Sequence, residues 1–503
     1  MLAFLSCLIL YQLSRSLMWQ PEVGHPVQSE DALPPEGPAP AMQGFPRPVV
    51  SVEAFTLPVS AIPALGSNST DPVVLVADAF LADGCAKLVS VITCAHCELQ
   101  PWGCVKPRQN FSLLDFEVVG VWGGSSSCGD GGCASARRAP SRVLHRDGSN
   151  WEPVTIIELC LPELNNATRV DIMVWQDGYS HAYSLAAIEP EPAAEFAMTV
   201  MYRGDGWTAP AFLDVWTALG VGHFYVYFNG DLDAFRAESP RLAAEFERDP
   251  RITLLIWPYP MRSVVVDTKG ESVLPPVNKY GKIMCYLHYA KMMAFNSTFH
   301  RYGSRHAYMG FFDWDEYLGL PQSLYDDALA LGITPLAALR AAHGDPEVFV
   351  VQNRWSVLLP PPEQMEPLRS SHVLASRIFG GWFTDWKART KFFVRSSDIG
   401  RPEIQPYMVG NHYICKLADR ARIRSNATEQ FSGRCNQIDP TMSEMQQLPP
   451  PEYYSMHLSN LKPHESLLDY DEDIMMQQML ENDTETRQVH GILAPFLERA
   501  GGA

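Results

Sequence analysis

The chain has 503 residues, 46% hydrophobic and 19% charged, a globular composition long enough for two or three domains with substantial cores. Its formal net charge is −18 and no lysine/arginine cluster stands out, which argues against a nucleic-acid partner, because phosphate binding needs a basic face.

The N-terminus reads "MLAFLSCLILYQLSRSLMWQ" and carries no charge from Leu2 to Leu13. That run is shorter than the roughly 20 residues of a spanning helix and fits the apolar region of a secretory signal. Arg15 interrupts it and no small-x-small cleavage site follows, so residues 1–19 are expected to form a signal anchor, with a cleaved peptide as the alternative. Residues 20–70 open with "PEVGHPVQSEDALPPEGPAPAMQGFPRPVV", rich in proline and small or polar residues, which reads as an extended stem. Secretory entry has two further supports. Asn-x-Ser/Thr sequons occur at Asn68, Asn110, Asn166, Asn296, Asn426 and Asn482. Setting Cys7 aside, ten cysteines remain, an even number compatible with disulfides. If all ten pair, at least one bridge reaches Cys285, Cys415 or Cys435. "CAHC" at 94–97 resembles half a zinc site, but no second half follows at suitable spacing, so disulfide use is preferred.

Residues 71–192 contain the short β-branched runs "VVLVADAF", "AKLVSVITCA", "DFEVVGVWG" and "VTIIELCL" between turn residues, which predicts a small β-rich domain. From 193 to 490 the pattern alternates strand and helix. "AMTVMY" (197–202), "HFYVYF" (223–228) and "ITLLIW" (252–257) are continuous apolar runs of the kind buried on both faces of a parallel sheet. "TAPAFLDVWTALG" reads as a helix begun near Pro210 and ended by Gly220, and a longer helix is predicted over roughly 278–297. The fold class is therefore α/β, a mostly parallel sheet flanked by helices.

A fourth strand, "HAYMGFF" (306–312), delivers three carboxylates within four positions: Asp313, Asp315 and Glu316. Like charges this close repel unless something positive sits among them, either a salt-bridged arginine or lysine or a metal ion. Ligands on parallel sheets bind beyond the carboxyl ends of the strands, where these residues fall. Strand alternation would let Asp313 and Asp315 converge while Trp314 packs away, a pair suited to Mn²⁺, with Mg²⁺ as the alternative.

"FFDWDEYL" also resembles the F-x-D-x-D-E-F signature of glycosyltransferase family 92. "LGVGHFYVYFNGDLDAF" (219–235) is similar to a second family segment, and "KARTKFFVR" (387–395) and "YYSMHLSNLKPHESL" (453–467) loosely resemble two more. The resemblance implies a GT-A-like fold and transfer of a sugar, galactose typically, from a nucleotide diphosphate donor such as UDP-galactose to a glycan or glycoprotein acceptor. It implies inversion at the sugar, Mn²⁺ as the ion, and a single-pass type II protein of the Golgi membrane with its catalytic domain in the lumen. Carried across, Asp313 and Asp315 hold the metal with His457 as third ligand, His412 being the runner-up. Asn229, Asp231 and Asp233 lie on the donor side, joined by Lys462.

The chain departs from the family pattern in two places. Phe228 stands where an aspartate is expected, and "YRGDG" (202–206) replaces a polar motif, so Arg203 and Asp205 become the substitute donor contacts. An inverting transferase needs a general base near the acceptor hydroxyl. Asp385, between Trp382 and Trp386 in "GGWFTDWKA", is the candidate. The competing readings are a non-catalytic, lectin-like glycoprotein that keeps the fold, and, ranked last, a phosphohydrolase using Asp313 as nucleophile.

Overall fold

The computed structural model describes residues 50–51, 74–92, 97–100, 103–107, 115–123, 137–139, 142–145, 154–176, 179–187, 193–202, 208–228, 232–257, 262–263, 286–287, 291–359, 377–383, 390–397, 399, 407–410, 414–416, 418–419, 445–448, 452–458, 487–488 and 496. By their contacts, the described residues belong to one compact unit. The expected anchor and most of the stem lie outside the described residues; among those described, no helix is long and apolar enough to cross a membrane.

The N-terminal β runs fold as antiparallel strands: β1 (Val74–Ala82), β2 (Cys85–Ile92), β3 (Asp115–Trp122), β4 (Val154–Cys160), β5 (Arg169–Gln176) and β6 (Tyr179–Ala186). β1, β2 and β4 lie adjacent in one sheet, and β3, β5 and β6 in another. Leu88, Ile157, Leu159, Val170, Ile172 and Leu185 fill the core between them. Cys85 and Cys160, paired across β2 and β4, form a disulfide. One of the expected bridges is thereby in place.

A 12-stranded mixed sheet follows. Its parallel part comprises β7 (Phe196–Tyr202), β8 (Val221–Phe228), β9 (Ile252–Ile256) and β10 (Tyr308–Phe311), in the spatial order β9-β8-β7-β10. Reversal of direction at β7, which is flanked by β8 and β10, creates a switch point beyond the strands' carboxyl ends. Beyond β10 the sheet turns antiparallel through β14 (Thr390–Arg395), β12 (Val348–Leu359) and β13 (Arg377–Phe383). β11 (Glu316–Gly319) pairs with β15 (Tyr454–Leu458), which lies parallel to β12. The sheet is thus more mixed than the mostly parallel one expected.

Strand alternation sorts side chains to the two faces. Met198, Val200, Phe224, Val226 and Phe228 pack with α1 (Ala209–Leu219), α5 (Gln322–Leu331) and α6 (Pro335–His343). Ala197, Met201, Tyr225 and Tyr227 pack against α4 (Lys291–Tyr302), which shares its core with Phe80, Val89 and Ile156 of the N-terminal strands. Each large side chain sealed here contributes about 1.5–3 kcal/mol. The remaining helices are α2 (Leu232–Glu238) and α3 (Pro240–Arg248). α1 ends where predicted: Gly220 has φ 119°, a conformation that favours glycine.

The long helix predicted over 278–297 is displaced. Tyr286–Leu287 is a short strand paired with Arg262–Ser263, and the helix runs from Lys291 to Tyr302. Its extension passes through Asn296, Ser297 and Thr298, residues that ordinarily disfavour helix interiors. Each is buried and hydrogen-bonded out of the helix: Asn296 to Val409, Ser297 to Asp78, Thr298 to Tyr227 Oη at 2.7 Å.

Candidate active site

β10 ends at Phe311, and the acidic cluster lies not on the strand but in a tight turn. The Glu316 N–H donates to Asp313 O at 2.9 Å, and the Asp313 N–H donates back to Glu316 Oε2 at 2.8 Å. Strand alternation therefore does not govern Asp313 and Asp315, correcting the expectation that it makes them converge. Trp314, between them, is buried against Phe212 with ring centroids 4.9 Å apart. The Trp216 indole N–H donates to Glu316 O at 3.2 Å and fixes the turn to α1. Gly319 follows in β11; a Cβ there would fall 2.6 Å from Tyr454 Cζ, so the glycine lets β15 close over the turn.

Positive charge does sit among the carboxylates, and it is lysine. Lys291, the first residue of α4, pairs with Asp313 Oδ1. Lys391 of β14 reaches Asp313 Oδ2 at 3.3 Å and Glu316 Oε2 at 2.7 Å. Asn353 Nδ2 of β12 donates to Glu316 Oε1 at 3.3 Å. Lys391 and Glu316 are sealed, each with 0% side-chain exposure, whereas Asp313 keeps 13% and Lys291 8%. Two lysines thus balance two carboxylates. Asp315, also buried, lies on the Tyr317 side, where burial first and then the Asp315 and Asp214 charges raise the phenol's pKa.

These residues do not fit the divalent ion expected on Asp313 and Asp315. A doubly charged ion on Asp313 would face two ammonium groups already in contact with it, a repulsion on the order of 5 kcal/mol per lysine at an effective dielectric near 20. No cluster of three or more potential metal-ligating His, Cys, Asp or Glu side chains occurs among the described residues. His457 is in register with Glu316 on β15, which places its backbone beside the turn.

Asp233 opens α2 with 97% side-chain exposure, 3.9 Å from Arg236, a position that suits a helix start rather than a donor contact. Arg203, Asp205, Asn229, Asp231, Asp385, His412 and Lys462 lie outside the described residues. Phe228, standing in for the family's aspartate, is core: its ring lies 4.5 Å from that of Phe235. A groove of about 1070 Å³ lies near the strands' amino ends, lined by Thr217, Arg248, Asp249, Arg251 and Thr334 among others, and is not part of this site.

The sequence reading did not single out the two lysines, although a signal was present. Lys391 stands in "TKFFVR", a cation within an apolar strand, and a buried cation requires a partner.

The glycosyltransferase family 92 profile matches residues 207–405. That segment is similar to the glycosyltransferase family 92. The match runs from α1 through β14 and includes the turn and both lysines. Its chemistry is in general glycosyl transfer, which calls for a sugar donor and a glycan acceptor. No curated protein matches the chain.

Proposed function

We propose that the chain transfers a sugar, galactose in the specific reading, from a nucleotide diphosphate donor to a glycan with inversion, on a GT-A-like sheet. The observation that carries this is the family match over the segment whose parallel strands deliver Asp313–Glu316 to the carboxyl-end crevice. The Cys85–Cys160 bridge supports an oxidising compartment, in keeping with a type II Golgi membrane protein acting in the lumen. Asp385 is the proposed general base; Arg203, Asp205, Asn229, Asp231 and Lys462 are the proposed donor contacts. Because the lysine-paired Asp313 does not fit Mn²⁺ or Mg²⁺, no step runs through a metal.

A panel of nucleotide-sugars screened by thermal unfolding tests the reading. A ligand at about a hundred times its Kd stabilises by roughly 2.7 kcal/mol, and UDP-galactose is expected to give the largest rise. A panel that leaves Tm unmoved overturns it. The lectin-like reading is favoured by one observation, Phe228 in the core where the family has a carboxylate; glycan binding without any nucleotide-sugar binding would establish it.

A further inference from the structure

Resting on the proposed transferase reading, we infer that Lys291 and Lys391 take the place of the divalent cation, so that the chain binds its nucleotide-sugar donor without a metal ion. The Asp-x-Asp pair that suggests a metal site is present, yet its first carboxylate is shared between two ammonium groups from separate elements, the start of α4 and the start of β14. The second of these also binds Glu316, which in turn holds the Asp313 backbone N–H and accepts from Asn353. Both lysine contacts place a positive charge beside Asp313, where an incoming cation would stand, and Lys391 links Asp313 to Glu316.

The buried member, Lys391, is a positioning residue: it reaches the exposed edge of the cluster only through Asp313. Lys291 and Asp313, with 8% and 13% side-chain exposure, form that edge, and Lys291 supplies the positive charge that a diphosphate meets. The cation is thus built into the chain and cannot be chelated away.

The test uses the purified full chain and two readouts: Mn²⁺ binding by electron paramagnetic resonance, and donor-induced thermal stabilisation in EDTA against Mn²⁺. The wild type is expected to take up no stoichiometric Mn²⁺ and to be stabilised equally by UDP-galactose in either buffer. Lys291→Gln is expected to lose donor stabilisation and to gain Mn²⁺ affinity by roughly tenfold or more, since it removes one repelling charge. Stoichiometric Mn²⁺ binding by the wild type, lost in Asp313→Asn, would overturn the inference; so would stabilisation by donor in Mn²⁺ alone, which leaves the transferase reading intact. If no nucleotide-sugar acts in either buffer, the transferase reading falls, and the Mn²⁺ measurement on wild type and Lys291→Gln still decides whether the lysines exclude the ion. Lys291 lies at the cluster's edge, so its variant is informative even where Lys391→Met fails to fold.

Discussion

The two ends of α4 each bury a carboxylate against a cation, and they are built differently. At the C-terminal end, Arg301 pairs with Asp78 of β1, which also accepts from Ser297, while the Arg301 guanidinium lies 4.7 Å from the Phe80 ring centroid. Burial works most strongly against the charged arginine, yet Asp78, Tyr302 and Tyr227 together outweigh it and the guanidinium pKa ends above its ordinary value. One cation meets one carboxylate, the latter sealed at 2% side-chain exposure, joining the N-terminal sheet to the helix. At the N-terminal end two cations meet one carboxylate whose edge stays open. A closed pair suits the packing of a sheet on a helix; a cluster of two lysines and two carboxylates with an open edge suits the donor site proposed above.

Breaking the closed pair should cost the most stability. Arg301→Met leaves Asp78 charged, buried and without its cation, a loss of about 3–5 kcal/mol. Thermal unfolding should show a fall of about 3–5 °C. Donor stabilisation measured below the new midpoint should survive. An Arg301→Met protein as stable as wild type would remove the contrast between the two ends.

Next comes Asn296, midway along α4. Its side chain donates to Met292 O and Val409 O and accepts from the Val409 N–H, and the residue is 0% exposed. Asn296→Ala should cost about 2–4 kcal/mol, because the Val409 groups are left buried and unpaired. The same burial predicts that this sequon stays unglycosylated, and Asn166, exposed in a turn at φ 61°, is the expected acceptor. Peptide mapping of secreted protein should find a glycan on Asn166 and none on Asn296; a modified Asn296 would contradict the buried helix.

At the open end the expected effect falls on function. Asp313→Asn keeps the shape of the side chain and leaves Lys391 paired with Glu316, so the stability loss should stay within about 1–3 kcal/mol. Transfer should fall by two orders of magnitude or more, on the scale of losing one preorganised electrostatic group. Unchanged turnover would show that the turn takes no part in the chemistry.

Much of this was legible in the sequence. The apolar runs over 197–202, 223–228 and 252–257 became β7, β8 and β9 within two residues, because strands buried on both faces have no polar alternation to obscure them. Gly220 marked the end of α1 by its required φ. The extent of α4 was harder to read. Asn296, Ser297 and Thr298 look like a break until the partners on β1, β8 and Val409 are known. The candidate site was half legible. Like charges in "DWDE" called for a counter-charge, with a basic side chain and a metal both open, but only the topology brings residues 291 and 391 to the same carboxylate. That contact spans about a hundred positions, beyond any local pattern.

An acid titration compares the two ends of α4 cleanly only after a background group is removed. His343, at the end of α6, lies between the Phe349 and Tyr453 rings, and burial lowers its pKa from the usual 6.5. Between about 6.5 and that lowered value the unfolded chain holds a proton that the folded chain does not. Its contribution to stability is therefore full above 6.5 and is lost as the pH falls toward the folded value. Tm measured at pH 7.5 and 5.5 should drop by about 1 °C more for wild type than for His343→Gln. Equal drops would assign the acid sensitivity to other groups.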